Sequence, residues 1–104
     1  MRLISQEEKI DVPYEMGSLT VSGGMITYYN YSCQKGTAMA VYHSEEKAIK
    51  VMENVRNRYA KFILFQTTYQ NGVLEKLTKE LGENEALNIV TPIFRFPKDD
   101  EVEV

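Results

Sequence analysis

Two residues of this chain have side chains suited to acid–base or nucleophilic chemistry, His43 and Cys33, and each is the sole member of its type. A histidine base needs an orienting carboxylate and a nucleophile within hydrogen-bond reach. Tyr42, Ser44 and Glu46 are near His43 in sequence, but their spacing does not direct them toward one reacting atom. His43 is therefore interpreted as a surface residue at the junction between a strand and a helix.

Cys33 lies in a polar stretch close to Lys35, whose positive charge would favour the reactive thiolate. A small enzyme with a Cys33–His43 dyad is the least favoured of the functions considered. One cysteine and one histidine supply too few ligands for a zinc site, and neither a metal nor a cofactor is predicted. A single cysteine also excludes an internal disulfide framework and is typical of a cytoplasmic protein.

Four cations fall on one flank of a predicted helix and could contact phosphate groups: Lys47, Lys50, Arg58 and Lys61. Beside a tyrosine-rich hairpin, they suggest an alternative function, a nucleic-acid-binding accessory factor whose rings stack on bases. The simpler interpretation is a solvated helix face, in which Glu46 and Lys50 form a favourable i,i+4 pair. The net charge of −3, from 12 basic and 15 acidic side chains, provides no global field to attract nucleic acid or an anionic membrane.

Three tyrosines are candidate protein-contact residues: Tyr28, Tyr29 and Tyr31. Neighbouring side chains on a strand point to opposite faces, which places Tyr28 on one face and Tyr29 and Tyr31 on the other. If a helix covers one face, the other presents aromatic rings of the kind found at contact sites. A two-layer core that uses both faces is the alternative interpretation.

The helix that carries the cations is predicted over about residues 44–62. Ser44 is a favourable N-cap, and Glu45 and Glu46 place negative charge at the positive end of the helix dipole. The apolar residues form one stripe about 100° wide, as expected of a helix that packs on a sheet. The members of this stripe are Val51, Met52, Val55, Tyr59 and Phe62.

The tyrosines lie within an N-terminal half whose patterns predict an antiparallel sheet. Residues 1–6 and 10–15 predict two short strands. Because Pro13 lacks a ladder donor, the second should be an edge strand or an extended segment beside one. The Gly-Gly pair at residues 23–24 separates two β-rich runs and predicts a hairpin. Residues 37–42 predict the strand that leads into the helix.

The C-terminal half predicts a second, shorter helix over about residues 73–81 and candidate strands at 86–90 and 93–96. Because strands and helices are segregated, the predicted class is α+β, with an antiparallel sheet mainly from the N-terminal half packed against the long helix. A chain of 104 residues suits one domain, assigned to residues 1–97. Residues 98–104 are expected to form an acidic tail that frays.

Three stretches of the chain, residues 1–15, 41–48 and 94–101, resemble a group of small uncharacterised bacterial proteins that often accompany phages and other mobile elements. In that group an ISQ segment, a DVPYE segment, a Y-S-x-E-E-K-A helix start and an acidic F-x-F-P ending recur in this order. Residues 62–90 match least, and residues 43–44 are His-Ser here where the group usually has Ser-Thr. The resemblance implies an origin in a mobile element or its bacterial host and no catalytic residues.

Together these features predict a small non-enzymatic interaction or accessory protein of a mobile element or its bacterial host. It is expected to act through self-association, as a homo-oligomer, or through a protein partner, with nucleic acid the less favoured ligand. No apolar run approaches the roughly 20 residues that cross a bilayer, and the N-terminus lacks a signal-peptide pattern. We therefore expect a cytoplasmic protein without membrane contacts.

Overall fold

The computed structural model of the protein describes residues 1–32, 35–68 and 93–103. Its elements, in chain order, are β1 (Arg2–Ile4), β2 (Asp11–Pro13), β3 (Gly17–Ser22), β4 (Met25–Asn30), β5 (Gly36–Val41), α1 (Glu45–Thr68) and β6 (Ile93–Arg95). Two short 3-10 helices span Tyr14–Met16 and Asp99–Glu101. The predicted α+β class is confirmed. The predicted helix at 73–81 and strand at 86–90 lie outside the described residues.

The strands form two three-stranded sheets, where the sequence analysis expected one. The first has the order β2-β1-β6 and the second the order β3-β4-β5. All pairs are antiparallel except β1 with β6, which are parallel. Local patterns do not specify which strands pair, and β6 reaches β1 from the far end of the chain. The prediction that Pro13 belongs to an edge strand is confirmed, since β2 lies at one end of its sheet.

The predicted hairpin at Gly23 and Gly24 is confirmed between β3 and β4. Gly23 has a φ of 61°, and a positive φ at the first central residue fits a type II′ turn. A Cβ on Gly24 would lie 2.0 Å from the carbonyl oxygen of Tyr42, so a side chain has no room there. The carbonyl of Gly24 accepts a hydrogen bond from the Tyr42 N–H at 2.7 Å, which extends the pairing of β4 and β5 to the residues preceding α1.

The start of α1 confirms the predicted cap. The Lys47 N–H donates to the hydroxyl of Ser44 at 3.2 Å, which satisfies a backbone donor that the first turn leaves free. The helix continues to Thr68, past its predicted end at residue 62. No helix among the described residues combines the length and apolarity that crossing a membrane requires.

The apolar stripe of α1 packs on the inner face of the second sheet, but unevenly. Val51 and Val55 are 0% and 1% exposed, as predicted. Tyr59 instead lies against Tyr14, with ring centroids 4.6 Å apart, because the second half of α1 extends toward the segment that follows β2. The remaining members of the stripe are half-buried: Met52, Tyr59 and Phe62.

One hydrophobic core joins both sheets and the helix. Leu3 is fully buried in β1, where Val12 and Phe94 are its partners on the neighbouring strands. Ile26 and Tyr28 contribute the centre of β4 to the same cluster. The core therefore contains residues from both ends of the described chain.

The C-terminal segment packs against this core, so the expectation that it frays is wrong for residues 98–103. Asp99–Glu101 form a 3-10 turn, and Val102 is buried. Asp99 also hydrogen-bonds to residues at the start of α1. Composition predicted a frayed tail, but one buried apolar side chain and one well-placed carboxylate hold the segment in place.

Gln6 connects the two sheets through three hydrogen bonds. Its N–H donates to the Met39 carbonyl at 2.8 Å, its Oε1 accepts from the Val41 N–H at 3.0 Å, and its Nε2 donates to the Pro97 carbonyl at 3.2 Å. The same Pro97 carbonyl accepts from the hydroxyl of buried Tyr42 at 2.7 Å. Burial raises the pKa of that hydroxyl, which therefore stays protonated and able to donate.

Gln6→Ala should lower the free energy of unfolding by about 1–2 kcal/mol, because two side-chain hydrogen bonds are lost while the backbone bond to Met39 remains. The exposed neighbour Glu7 provides the control, and Glu7→Ala should stay within about 0.5 kcal/mol of the parent. Urea denaturation at pH 7 measures both variants. Coincident transitions for the parent and Gln6→Ala would contradict a structural role for this junction.

Candidate protein-interaction site

Tyr28 is a core residue and is not available as a contact residue. It is 2% exposed, and its hydroxyl donates to the Pro13 carbonyl at 2.6 Å. Burial raises the pKa of this hydroxyl. Tyr28 shares the inner face of β4 with Ile26, beneath α1, and its assignment as a protein contact is withdrawn for that reason.

Tyr29 and Tyr31 are both exposed, but they do not share a face as predicted. Tyr29 is 40% exposed and lies opposite Ser18 in the ladder. Tyr31 follows the end of β4 and is 72% exposed. The Tyr31 N–H still donates to the Met16 carbonyl at 3.0 Å, but the Oδ1 of Asn30 accepts from the N–H of Ser32 at 2.9 Å, so the chain turns at Tyr31 and strand alternation ends there. Tyr31 then lies beside the helix rather than next to Tyr29.

The face of the second sheet that points away from α1, here called the outer face, is uncharged. Its three most exposed apolar side chains are Met25, Tyr29 and Val41, at 40%, 40% and 58%. Strand register places nine residues on this face: Ser18, Thr20 and Ser22 of β3, Met25, Thr27 and Tyr29 of β4, and Gly36, Ala38 and Val41 of β5.

The first sheet, by contrast, carries charged pairs on its exposed surface. Arg2 pairs with Asp11 at 2.7 Å and Arg95 with Glu8 at 3.6 Å, and all four side chains are largely exposed. Charged pairs of this kind keep a sheet surface solvated and add little stability. The outer face of the second sheet carries no such pairs, which marks it as the candidate interaction surface.

Among the residues that the structure describes, the two sheets have four edges, and three of them are protected against pairing with another chain. β2 contains Pro13. β6 is three residues long and ends with exposed Arg95. β5 has a bulge at Met39, and Gln6 hydrogen-bonds to its outer edge. Short strands, charges, prolines and bulges are the usual protections of edge strands. β3 has six residues and none of these features.

A groove of about 380 Å³ lies at the start of β3. Ser18 and Leu19 both line it and point to opposite faces of the strand, so the groove reaches around the strand. Burial and the neighbouring Tyr59 raise the pKa of Tyr14 in its wall, and Arg56 opposes that shift. Other lining residues come from α1 and the end of the hairpin: Met52, Val55, Arg56 and Tyr31.

The basic flank of α1 is partly occupied by the chain itself. Lys47 Nζ donates to the Asp99 carbonyl at 2.9 Å and to its Oδ2 at 3.3 Å. Arg58 Nη2 donates to the Ile93 carbonyl at 3.5 Å, and burial lowers the pKa of its guanidinium. Lys50 and Lys61 are exposed. Two of the four predicted phosphate contacts are thus engaged with the C-terminal segment.

His43 is exposed, and its backbone N–H donates to Asp99 Oδ1 at 2.6 Å. The hydroxyl of the neighbouring Tyr42 donates a hydrogen bond to the Pro97 carbonyl, and Ser44 is the N-cap of α1. These two neighbours of His43 therefore have structural roles. Cys33 lies outside the described residues. In the described part of the chain, no group of three or more His, Cys, Asp and Glu side chains could hold a metal ion.

Sequence reasoning missed the open edge of β3, although one signal pointed toward it. The chain has no charged residue between Glu15 and Lys35, while 26% of its residues are charged. That gap covers all of β3 and β4. Gln6 and Asp99 were missed as well, and nothing in their local sequence marks them, because their partners are far away along the chain.

Comparison with protein-family models, with curated proteins and with solved structures finds no match for this chain.

Asp99→Asn should lower the melting temperature at neutral pH, and this difference should vanish in acid. The His43 N–H and the Lys47 ammonium hold the pKa of the Asp99 carboxyl below its ordinary value. Its stabilising charge is therefore fully present above the unfolded value of about 3.9 and lost as the pH falls through the lower folded value. Thermal melts from pH 7 down to about pH 2, below the unfolded value, test this, with exposed Asp100→Asn as control. A pH-independent difference would contradict the charge-based role.

Proposed function

We propose that the protein is a small non-enzymatic interaction protein that binds a protein partner through its second sheet, and that a second copy of this chain is that partner. The observation that carries the proposal is the charge-free surface of β3, β4 and β5, with Met25, Tyr29 and Val41 exposed on it. The resemblance to proteins that accompany mobile elements supports an accessory role in a mobile element or its bacterial host.

The lack of charge favours a second copy over a charged partner. Twofold symmetry places the same surface patch on both subunits, so a charge near the axis would lie close to its own copy and repel it. The outer face has no charge to repel its copy. A strongly acidic or basic partner would find no complementary field there.

The size of the outer face predicts a weak association if it acts alone. Six residues at about 3.4 Å and three strands at about 4.8 Å give an area of roughly 300 Å². Stable interfaces bury about 800 Å² on each partner. Additional surface next to the outer face must therefore contribute to a stable dimer.

Nucleic-acid binding is less well supported, because Lys47 and Arg58 contact Asp99 and Ile93 of the same chain. Titration with single- and double-stranded DNA and RNA at low salt should therefore show no binding up to high micromolar concentration. Binding that weakens steeply with added salt, and that Lys50→Gln with Lys61→Gln reduces, would instead support this alternative.

Light scattering over a concentration series should show the mass rising from about 12 kDa toward twice that value. The double variant Thr20→Lys/Val41→Lys should remain monomeric, because two added charges per copy would repel each other across a symmetric contact. The double variant Ile49→Lys/Asn54→Lys adds the same charge at exposed positions of α1 and should still associate. A monomer at every concentration of the parent would contradict self-association.

A further inference from the structure

Resting on the proposed function, we infer that two copies of this chain pair through the open edge of β3. The two β3 strands run antiparallel about a twofold axis at Thr20. The contact joins two three-stranded sheets into one continuous six-stranded sheet. Among the described residues, β3 is the one sheet edge that has no proline, no charged residue, no bulge and no side chain hydrogen-bonded to it.

The backbone groups that β3 offers follow from its pairing with β4. The Tyr31 N–H donates to the Met16 carbonyl at 3.0 Å, and hydrogen-bonded pairs alternate along an antiparallel ladder. Ser18, Thr20 and Ser22 therefore direct their N–H and carbonyl groups toward β4. Leu19 and Val21 direct theirs outward, and among the described residues nothing pairs with them.

The side chains select one register. With the axis at Thr20, Leu19 of each copy pairs with Val21 of the other, and Thr20 faces its own counterpart on the outer face. Apolar pairs and Thr–Thr pairs are both favourable across strands. Moving the axis to Leu19 would pair Val21 with Gly17, and moving it to Val21 would pair Leu19 with Gly23. Each of these shifts leaves an apolar side chain opposite a glycine.

The same register adds contact surface beyond the paired strands. Antiparallel pairing about Thr20 brings Gly23 of the second copy opposite Gly17 of the first. The partner's hairpin turn then lies at the start of β3, beside the groove formed with Tyr14 and Met52. Twofold symmetry repeats this contact, so each copy contributes one turn and one groove. Both glycines of the turn lack side chains and can approach closely.

Disulfide crosslinking tests the register directly. In a Cys33→Ser background, Thr20→Cys should give a covalent dimer on a non-reducing gel under mild oxidation. A non-hydrogen-bonded pair has a Cα separation of about 4.5 Å, within the range of about 4.4–6.8 Å that a disulfide spans. In the same background, Ser22→Cys should stay monomeric, because its counterpart is four residues further along, about 14 Å away. The double variant Ser18→Cys/Ser22→Cys should crosslink again.

Single lysine substitutions distinguish a dimer paired through the β3 edge from one that makes contact through the outer face. Thr20→Lys places two like charges on the axis and should raise the dimer dissociation constant on the order of tenfold or more. Val41→Lys adds the same charge two strands away and should leave it unchanged. Edge pairing would be overturned by a dimer that tolerates Thr20→Lys but not Val41→Lys, or by the absence of the Thr20→Cys crosslink. Either result would leave the proposed function standing. A parent that is always monomeric would overturn both.

Discussion

One backbone acceptor, the carbonyl oxygen of Pro97, links both sheets to the C-terminal segment. It accepts from Gln6 Nε2 and from the hydroxyl of Tyr42. The first donor follows β1 and the second follows β5, so one oxygen positions both sheets relative to the C-terminal segment. A buried polar group without a partner is costly, and this acceptor satisfies the hydroxyl of Tyr42 inside the core.

This junction also occupies one edge of the second sheet. Gln6 occupies the edge of β5 by bonding Met39 and Val41, so within the described part of the chain the open edge of the second sheet is that of β3. At the other side of the junction, Asp99 binds Lys47 and reduces the positive charge available on α1. The same C-terminal segment also accepts a hydrogen bond from Arg58 through the Ile93 carbonyl.

The sequence by itself determined the features that rest on contacts between near neighbours. Ser44 caps the helix through an N–H three residues away, and Gly23 and Gly24 form the turn between adjacent strands. The missing donor of Pro13 is enough to place β2 at an edge. The stripe through Val51 and Val55 identified the buried side of α1, because helical periodicity is a local property.

Only the tertiary structure decided which of these elements meet. The two-sheet arrangement, the burial of Tyr28 and the turning of Tyr31 toward α1 depend on where the chain ends its strands and which strands it pairs. The partners of Gln6 and Asp99 are 91 and 56 residues away, and no local pattern encodes such distances. The uncharged stretch around β3 is readable in the sequence, but its outer edge is open among the described residues because their other strands pair elsewhere.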